Sequence, residues 1–292
     1  MLPSPVLTGG RILGSRQQIV TNEFNSAKHD FPAVDSTRVR YILAALPRSG
    51  STLLGRTLWG TGLAGAPAEY LNPVNMSDFY DRWGSFSLPA LVKRILDEGL
   101  RTYSSLKHLP LERYLELLMR HRTSPNGVFG TKVHYHQITG LLERRVELDE
   151  LLDEPKYLQI LRRDHLRQAI SHLRAEQTNQ WSAGKEAEAE PRYDFEALRR
   201  KLTGIGVREE EWNRYFAARG IEPFRTTYEE LIADFEGTIR AILDFLEIDH
   251  GGVDIGAPPM QKQADELTEE WVERYRGEAV AAGIELPEPA SA

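Results

Sequence analysis

Apolar residues alternate along the chain between short continuous runs, typical of buried strands, and spaced positions, typical of amphipathic helices. Runs of strand length occupy residues 41–46, 128–134, 157–161 and 223–228. Helical spacing occupies residues 53–59, 91–100, 111–120, 138–152, 166–178, 195–218 and 237–246, with a last helix ending near residue 276. This order of strands and helices favours parallel pairing with right-handed crossovers. The pattern predicts an α/β, P-loop-like three-layer fold in which a central parallel sheet is flanked by helices.

Composition limits the class of protein. The 292 residues carry a formal net charge of −7 and no cysteine, which excludes disulfides and thiolate chemistry and disfavours a general nucleic-acid binder. No apolar run approaches the ~20 residues of a membrane span, and the first residues lack the pattern of a secretory signal, so a cytoplasmic protein is expected. We expect an irregular N-terminal extension at residues 1–38, a single domain at 39–280 and a flexible tail at 281–292.

The segment Pro47-Arg-Ser-Gly-Ser-Thr52 separates the first strand from the first helix and is the strongest candidate for a binding site. Proline ends the strand, and Gly50 permits a sharp turn. The hydroxyls of Ser49, Ser51 and Thr52 lie beside the first N–H groups of the helix, which lack intrahelical acceptors. Such a helix start favours an anion, and phosphate or sulfate fits it well.

This segment departs from the nucleotide-binding P-loop, in which a lysine and a hydroxyl follow the last glycine. Ala45 replaces the first glycine of that pattern, Ser51 replaces the lysine, and Arg48 is the one cation in the turn. The departure argues against an ordinary ATPase or kinase. A phosphoryl-transfer enzyme, such as a small-molecule kinase that depends on magnesium, remains the alternative interpretation.

A second basic segment follows the third predicted strand. Arg163 ends the strand, Ser171 follows eight residues later in the next helix, and Arg167 lies one turn before that serine. Guanidinium groups offer paired donors to phosphate, and a hydroxyl can complete the coordination. The simpler alternative is a solvated basic helix start.

Together these motifs resemble those of sulfotransferases that use 3′-phosphoadenosine 5′-phosphosulfate (PAPS), and the chain is most similar to the bacterial trehalose 2-sulfotransferase family. The resemblance spans nearly all of residues 40–276. The long N-terminal extension and the loop near residue 184 do not match. The motifs that carry it lie at residues 47–54, 65–70, 129–132, 162–181 and 263–275.

The resemblance implies sulfuryl transfer from PAPS to a carbohydrate hydroxyl, without a metal, by a homodimer with no membrane span and no nucleic-acid partner. Arg48 and the N–H groups of the loop would stabilise charge on the departing phosphate, and the loop hydroxyls would hold the 5′-phosphate. The family pattern implies that Arg163 and Ser171 bind the 3′-phosphate, with assistance from Arg167.

Two residues are candidates for the general base that the acceptor hydroxyl requires. Glu69 matches the place of the base proposed in the trehalose enzyme, and His134, in Lys132-Val-His134, matches the catalytic histidine of cytosolic sulfotransferases. We favour Glu69, with Lys132 and His134 orienting acceptor or sulfuryl oxygens. In a nucleotide- or anion-binding module without catalysis, Glu69→Gln and His134→Ala would leave ligand binding and activity intact. Candidates for stacking on an acceptor ring are Phe79, Trp83, Tyr135 and Trp181.

Overall fold

The structure is a computed structural model that describes residues 25–72, 75–76, 79, 82–83, 111–142, 146–181, 186–256, 258 and 266–285. The helix expected at residues 91–100 lies outside the described residues. So do residues 1–24, residues 182–185 of the loop near residue 184, and residues 286–292 of the expected tail.

The described residues include four strands, nine α-helices whose bounds follow and one 3₁₀ helix, Ala27–His29; residues 75, 76, 79 and 82 are also helical. The strands are β1 Val39–Ala45, β2 Val128–His134, β3 Lys156–Leu161 and β4 Phe224–Thr227. The helices are α1 Ser51–Gly60, α2 Leu111–Arg122, α3 Tyr135–Leu142, α4 Leu148–Leu151, α5 His165–Thr178, α6 Phe195–Arg219, α7 Tyr228–Ala233, α8 Phe235–Phe245 and α9 Glu266–Ala281.

The strands form one parallel sheet in the order β2-β1-β3-β4. Strand β1 is central, because the chain first adds β2 on one side of it and then β3 on the other. Ligands of open parallel sheets bind outside the carboxyl ends of the strands, where the strand order reverses. In this sheet that position is the end of β1, directly before the glycine-containing loop.

Alternation of side chains along β1 divides the core into two layers. Ile42 and Ala44 pack on one face of the sheet with residues of α2, α3, α5, α6 and α9. Tyr41 and Leu43 pack on the other face with residues of α1, α7 and α8. The sheet therefore lies between two layers of helices, and the predicted three-layer α/β fold is confirmed.

One predicted helix is wrong in its extent. The apolar spacing suggested a single helix over residues 138–152, but α3 begins at Tyr135, directly after β2, and ends at Leu142. Glu147 has an extended backbone, with φ −92° and ψ 138°, and α4 begins after it. Both helices bury leucines in the same core layer, so their combined apolar pattern imitates one continuous helix.

Residues 25–34, part of the expected extension, contact the domain. The N–H of Phe31 donates to the carbonyl of His121, and that of Val34 donates to Arg120. The Arg122 guanidinium lies 2.9 Å from the Asp30 carboxylate. These contacts attach the segment to the end of α2, while the division of the chain at residue 38 stays a prediction.

Gly130 of β2 offers a test of the packing between strands. A Cβ added there would lie 2.2 Å from Cζ of the buried Tyr41 ring, whereas one added at Gly206 in α6 meets no atom within 4 Å. We expect Gly130→Ala to lower the free energy of unfolding by about 2–3 kcal/mol. Gly206→Ala should raise it by about 0.5–1 kcal/mol. Urea unfolding of both variants checks this, and a neutral Gly130→Ala would contradict the strand packing.

Candidate functional site

All four strands deliver polar residues to the same edge of the sheet. The loop 46–50 follows β1, His134 ends β2, Arg162 follows β3, and Thr227 ends β4. Because the strands are parallel, these carboxyl ends meet at one edge. Residues from four distant parts of the sequence therefore surround the start of α1.

The start of α1 is built to receive an anion. Its N-cap residue, Gly50, has φ 95° and no side chain, so no side-chain hydrogen bond caps the helix. The Ser49 hydroxyl oxygen is buried and has no hydrogen-bond partner among the described residues. The first N–H groups of α1 and the positive end of its dipole therefore suit a phosphate or sulfate group.

The conformation of the loop is fixed from the neighbouring elements. Gln168 of α5 donates to the carbonyl of Pro47 at 3.0 Å, and Arg162 donates to that of Arg48 at 3.3 Å. A Cβ at Gly50 would lie 2.7 Å from Cδ2 of Tyr228, so glycine is required there for space as well as for its φ. Arg48 also has a positive φ of 65°, which costs about 1–3 kcal/mol in a residue other than glycine. The surrounding contacts hold this strained turn.

Three guanidinium groups concentrate positive charge near the loop. Burial lowers the pKa of Arg48, and the charges of Arg162 and Arg174 lower it further. Burial also lowers the pKa of Arg162, whose guanidinium lies 5.0 Å from the centre of the Tyr228 ring. A bound anion would relieve the repulsion among these groups. The cluster is local, because the whole chain carries a net charge of −7.

Two predicted residues 123 positions apart come together here. The Arg48 Nε–H donates to the Ser171 hydroxyl at 2.9 Å, and its Nη1 donates to the backbone carbonyl of Trp181 at 2.7 Å. Ser171 is therefore held against the anion loop by an arginine of that loop. The carbonyl of Trp181 occupies a donor of Arg48 that a phosphosulfate oxygen would also use.

Arg163 and Arg167 are paired with carboxylates. The Arg163 guanidinium forms an ion pair with Glu230, in the first turn of α7, and its backbone N–H donates to Glu229 at 3.0 Å. Arg167 bonds to Asp164 and Glu269, and these hydrogen bonds raise its pKa. The roles of both arginines at a 3′-phosphate stay predictions. Any anion at Arg163 would compete with Glu230.

Glu69 reaches the sheet edge through a short parallel bridge. Ala68 pairs with Thr131 of β2, and the Lys132 N–H donates to the Ala68 carbonyl at 2.9 Å. Lys132 and His134, two residues apart on one strand, project to the same face. The bridge therefore places Glu69 beside both.

The Glu69 carboxylate has four polar neighbours. Its Oε1 lies 3.0 Å from Lys132 Nζ and 3.4 Å from His134 Nε2. Its Oε2 accepts from Asn72 at 3.0 Å and from Gln137 at 2.9 Å. Both candidate bases and the candidate lysine thus form one cluster.

Lys132 joins this cluster to the anion loop. Its Nζ donates to the Thr52 hydroxyl at 3.4 Å, on the first turn of α1, while it pairs with Glu69. A buried ammonium between a carboxylate and a helix start can contact groups bound on both sides. The cluster and the loop therefore form one site.

The charge state of Glu69 follows from its neighbours. Burial alone would raise its pKa, but the charges of Lys132 and His134, with hydrogen bonds from His134 and Asn72, hold the pKa well below the ordinary 4.5. Glu69 is consequently a carboxylate at neutral pH.

The aromatic residues suggested for ring stacking have different surroundings. Phe79 is fully buried and stacks on Trp83, which also stacks on His121, so both belong to the packing of α2. Tyr135 packs edge-on against the buried Trp212. Trp181 is 42% exposed, and of the four it is the one that lies beside the anion loop.

Several residues that contact or act on the anion loop or Glu69 were not assigned a role from the sequence. A lone glutamine, asparagine or arginine carries no local motif, and only the fold shows that each lies near a site. The spacing His134-x-x-Gln137 at a strand-to-helix junction is the one signal available in the sequence. The residues concerned are Asn72, Gln137, Arg162, Gln168 and Arg174.

Within the ranges that the structure describes, no group of three or more His, Cys, Asp or Glu side chains is arranged to hold a metal ion. No helix in the described part of the chain is long and apolar enough to cross a membrane.

The chain is similar to known sulfotransferases over most of its length. Residues 40–278 match the family model described as Stf0 sulphotransferase. A relative named trehalose 2-sulfotransferase, from Mycolicibacterium smegmatis, is 30% identical over 265 residues. A second relative of the same name, from Mycobacterium tuberculosis, is 29% identical over 262 residues. Each match covers 84% of this chain and 97% of the relative. A sulfotransferase structure from Alicyclobacillus acidocaldarius matches with 14% identity and a TM-score of 0.44, over 86% of this chain and 98% of that chain.

The depressed pKa of Glu69 predicts how stability depends on pH. A carboxylate whose pKa falls on folding stabilises the protein above its unfolded pKa, and this contribution is lost as the pH falls from about 4.5 through the lower folded value. We expect Glu69→Gln to flatten the fall in unfolding free energy below pH 4.5. Urea titrations between pH 3 and 7 measure this slope, and equal slopes would contradict an ionised, paired Glu69.

Proposed function

The chain belongs to the Stf0 sulphotransferase family, and from this premise we propose that it transfers a sulfuryl group from PAPS to a hydroxyl of a trehalose-like carbohydrate. The names of the two trehalose 2-sulfotransferase relatives support the acceptor class. The family supports the donor.

One observation carries the proposal: Lys132 lies between the Glu69 carboxylate, at 3.0 Å, and Thr52 at the start of α1, at 3.4 Å. A sulfotransferase must bring a phosphosulfate and an acceptor hydroxyl into line, with a base on the acceptor side. The anion loop would hold the phosphosulfate, and the Glu69 carboxylate would act as the base. Lys132 lies between them, where the sulfuryl group would meet the acceptor hydroxyl.

The residues of the loop fit the donor. The uncapped start of α1 and the hydroxyls of Ser51 and Thr52 would hold the 5′-phosphate, and Arg163, with Ser171, would reach the 3′-phosphate. PAPS would supply the sulfuryl group. Arg48 and the loop N–H groups would stabilise the charge that develops on the phosphate oxygen as its bond to sulfur breaks.

On the acceptor side, Glu69 takes the proton of the attacking hydroxyl while the new oxygen–sulfur bond forms. His134 and Lys132 orient the oxygens around it. Such a base contributes about 10²- to 10⁴-fold to the rate. Trp181, exposed beside the loop, is suited to stacking on a sugar ring.

The kinase interpretation receives no support from the family or the relatives, which are sulfotransferases. The loop also carries Ser51 where the P-loop lysine would stand. The sulfotransferase is therefore the function that we propose.

We further propose that the enzyme acts in the cytoplasm as a homodimer, with residues 39–280 forming one catalytic domain. The family resemblance supports the dimer. Sedimentation equilibrium of the full chain would test it.

Binding of 3′-phosphoadenosine 5′-phosphate should depend on Arg163 and on its partner. Arg163→Ala removes a charged hydrogen bond, so we expect affinity to fall roughly 10- to 100-fold. Glu230→Gln keeps the shape of the α7 cap but releases Arg163, so affinity should rise about 2- to 10-fold. Isothermal titration calorimetry measures both.

Glu236→Gln is the matched control for charge, because Glu236 is also an exposed, arginine-paired carboxylate near a helix start. It should leave the affinity unchanged. Equal binding of ATP, or no effect of Arg163→Ala, would refute the proposed 3′-phosphate site.

Turnover distinguishes an enzyme from a binding module. With PAPS and trehalose, in the presence of EDTA, Glu69→Gln should lower kcat about 10²- to 10⁴-fold and leave the affinity for 3′-phosphoadenosine 5′-phosphate within twofold. Mass spectrometry of sulfated product measures this. Activity equal to that of the unmodified enzyme would remove Glu69 as the base, and a requirement for magnesium with ATP would revive the kinase interpretation.

A further inference from the structure

Gln137, on the first turn of α3, is fully buried and touches both candidate bases. Its Oε1 accepts from the backbone N–H of His134 at 2.9 Å, and its Nε2 donates to Glu69 Oε2 at 2.9 Å.

The orientation of this amide is determined by its partners. A backbone N–H can only donate, so the oxygen of Gln137 must face His134 and its NH₂ group must face Glu69. Asn72 donates to the same Oε2 at 3.0 Å. With both amide donors on Oε2, the other oxygen, Oε1, faces Lys132 Nζ at 3.0 Å and His134 Nε2 at 3.4 Å, so a proton shared between Glu69 and His134 lies on Oε1.

The ring of His134 is also oriented by an unambiguous partner. Its Nδ1 lies 3.0 Å from the carbonyl oxygen of Ala45, which can only accept, so Nδ1 carries a hydrogen. Its Nε2 faces Glu69 Oε1 at 3.4 Å. In the neutral ring this nitrogen holds a lone pair directed at the oxygen that takes the proton.

We propose that Gln137 is a positioning residue that makes Glu69 Oε1 and His134 Nε2 a single proton-accepting pair. This inference rests on the proposed function. The acceptor O–H bond breaks, its proton passes to Oε1 and ends on Nε2, and the oxygen's electron pair forms the bond to sulfur. The pair of electrons from the broken sulfur–oxygen bond stays on the departing phosphate.

The other charged and titratable groups around the pair are compatible with this role. Lys132 donates to Oε1 from β2, and His136 stacks on His134 with ring centres 5.8 Å apart. Burial lowers the pKa of His136 and of His172 to about 4, so both are neutral near pH 7. Lys132 is the positive charge in contact with the pair, whereas Arg208 acts on His136, and Lys201 and Arg48 act on His172.

The dependence of kcat on pH tests the proposal. The pair accepts a proton only when Oε1 and Nε2 carry none, so kcat falls on the acid side of its apparent pKa. Gln137→Leu removes a donor that stabilises the carboxylate. The acid limb of the profile of kcat against pH, where kcat falls, should therefore move about one unit to higher pH. We expect kcat at neutral pH to fall about tenfold and the affinity for 3′-phosphoadenosine 5′-phosphate to stay within twofold.

Two further variants control for packing. Gln137→Glu keeps the shape but sets a second carboxyl against Oε2, so the acid limb should move in the same direction. Gln159→Leu removes another buried glutamine, on β3, whose amide oxygen accepts from Arg225, and should leave the limb in place. An unmoved limb in both Gln137 variants would overturn the proposal.

A second measurement does not need turnover. In protein labelled with ¹⁵N-histidine, long-range ¹H–¹⁵N spectra of the neutral ring should show His134, identified by its absence in His134→Gln, as the Nδ1–H tautomer. Its Nε2 chemical shift should change in Glu69→Gln and in Gln137→Leu. A bare Nδ1, or an Nε2 shift that is the same in both variants as in the unmodified protein, would overturn the pair. If the spectra agree but no sulfated product forms, the proton-sharing pair stands and the proposed function fails.

Discussion

Two opposite charges, the Lys132 ammonium and the Glu69 carboxylate, lie 3.0 Å apart at the carboxyl edge of the sheet, with side chains only 10% and 16% exposed. Removing such groups from water costs several kcal/mol each, and this cost is offset only when further hydrogen bonds satisfy the pair. Asn72, Gln137 and Thr52 supply those bonds. The pair thereby connects the segment that carries Glu69 to the first turn of α1, through Thr52, and to the first turn of α3, through Gln137.

On the side of the proposed donor site, the same edge of the sheet carries an excess of positive charge. Arg48, Arg162 and Arg174 crowd a helix start that has no side-chain cap, and the first of these adopts a strained backbone. A protein of net charge −7 gains no general attraction for anions, so this local cluster must supply it. Like-charge repulsion is a cost in the free protein that a bound phosphosulfate would relieve.

Much of the arrangement was predictable from the sequence, for local reasons. The four buried strands, the glycine turn and the eight-residue spacing of Arg163 and Ser171 are short-range patterns, and the predicted three-layer fold followed from their order. The sequence could not show that Ser171 would meet Arg48, or that Glu69 would lie beside both Lys132 and His134, because these contacts join residues that are 123, 63 and 65 positions apart and arise only when the sheet forms. It left Gln137 unmarked, since a buried amide has no local pattern.

Lys132 joins the proposed donor site at the start of α1 to the proposed proton acceptor at Glu69. A crystal structure of the full chain with 3′-phosphoadenosine 5′-phosphate would test this arrangement. We expect the 5′-phosphate on the N–H groups of Ser51 and Thr52, with Lys132 in contact and Glu69 on the opposite side of that lysine. A nucleotide bound elsewhere, or a Glu69 separated from the phosphate by protein, would contradict it.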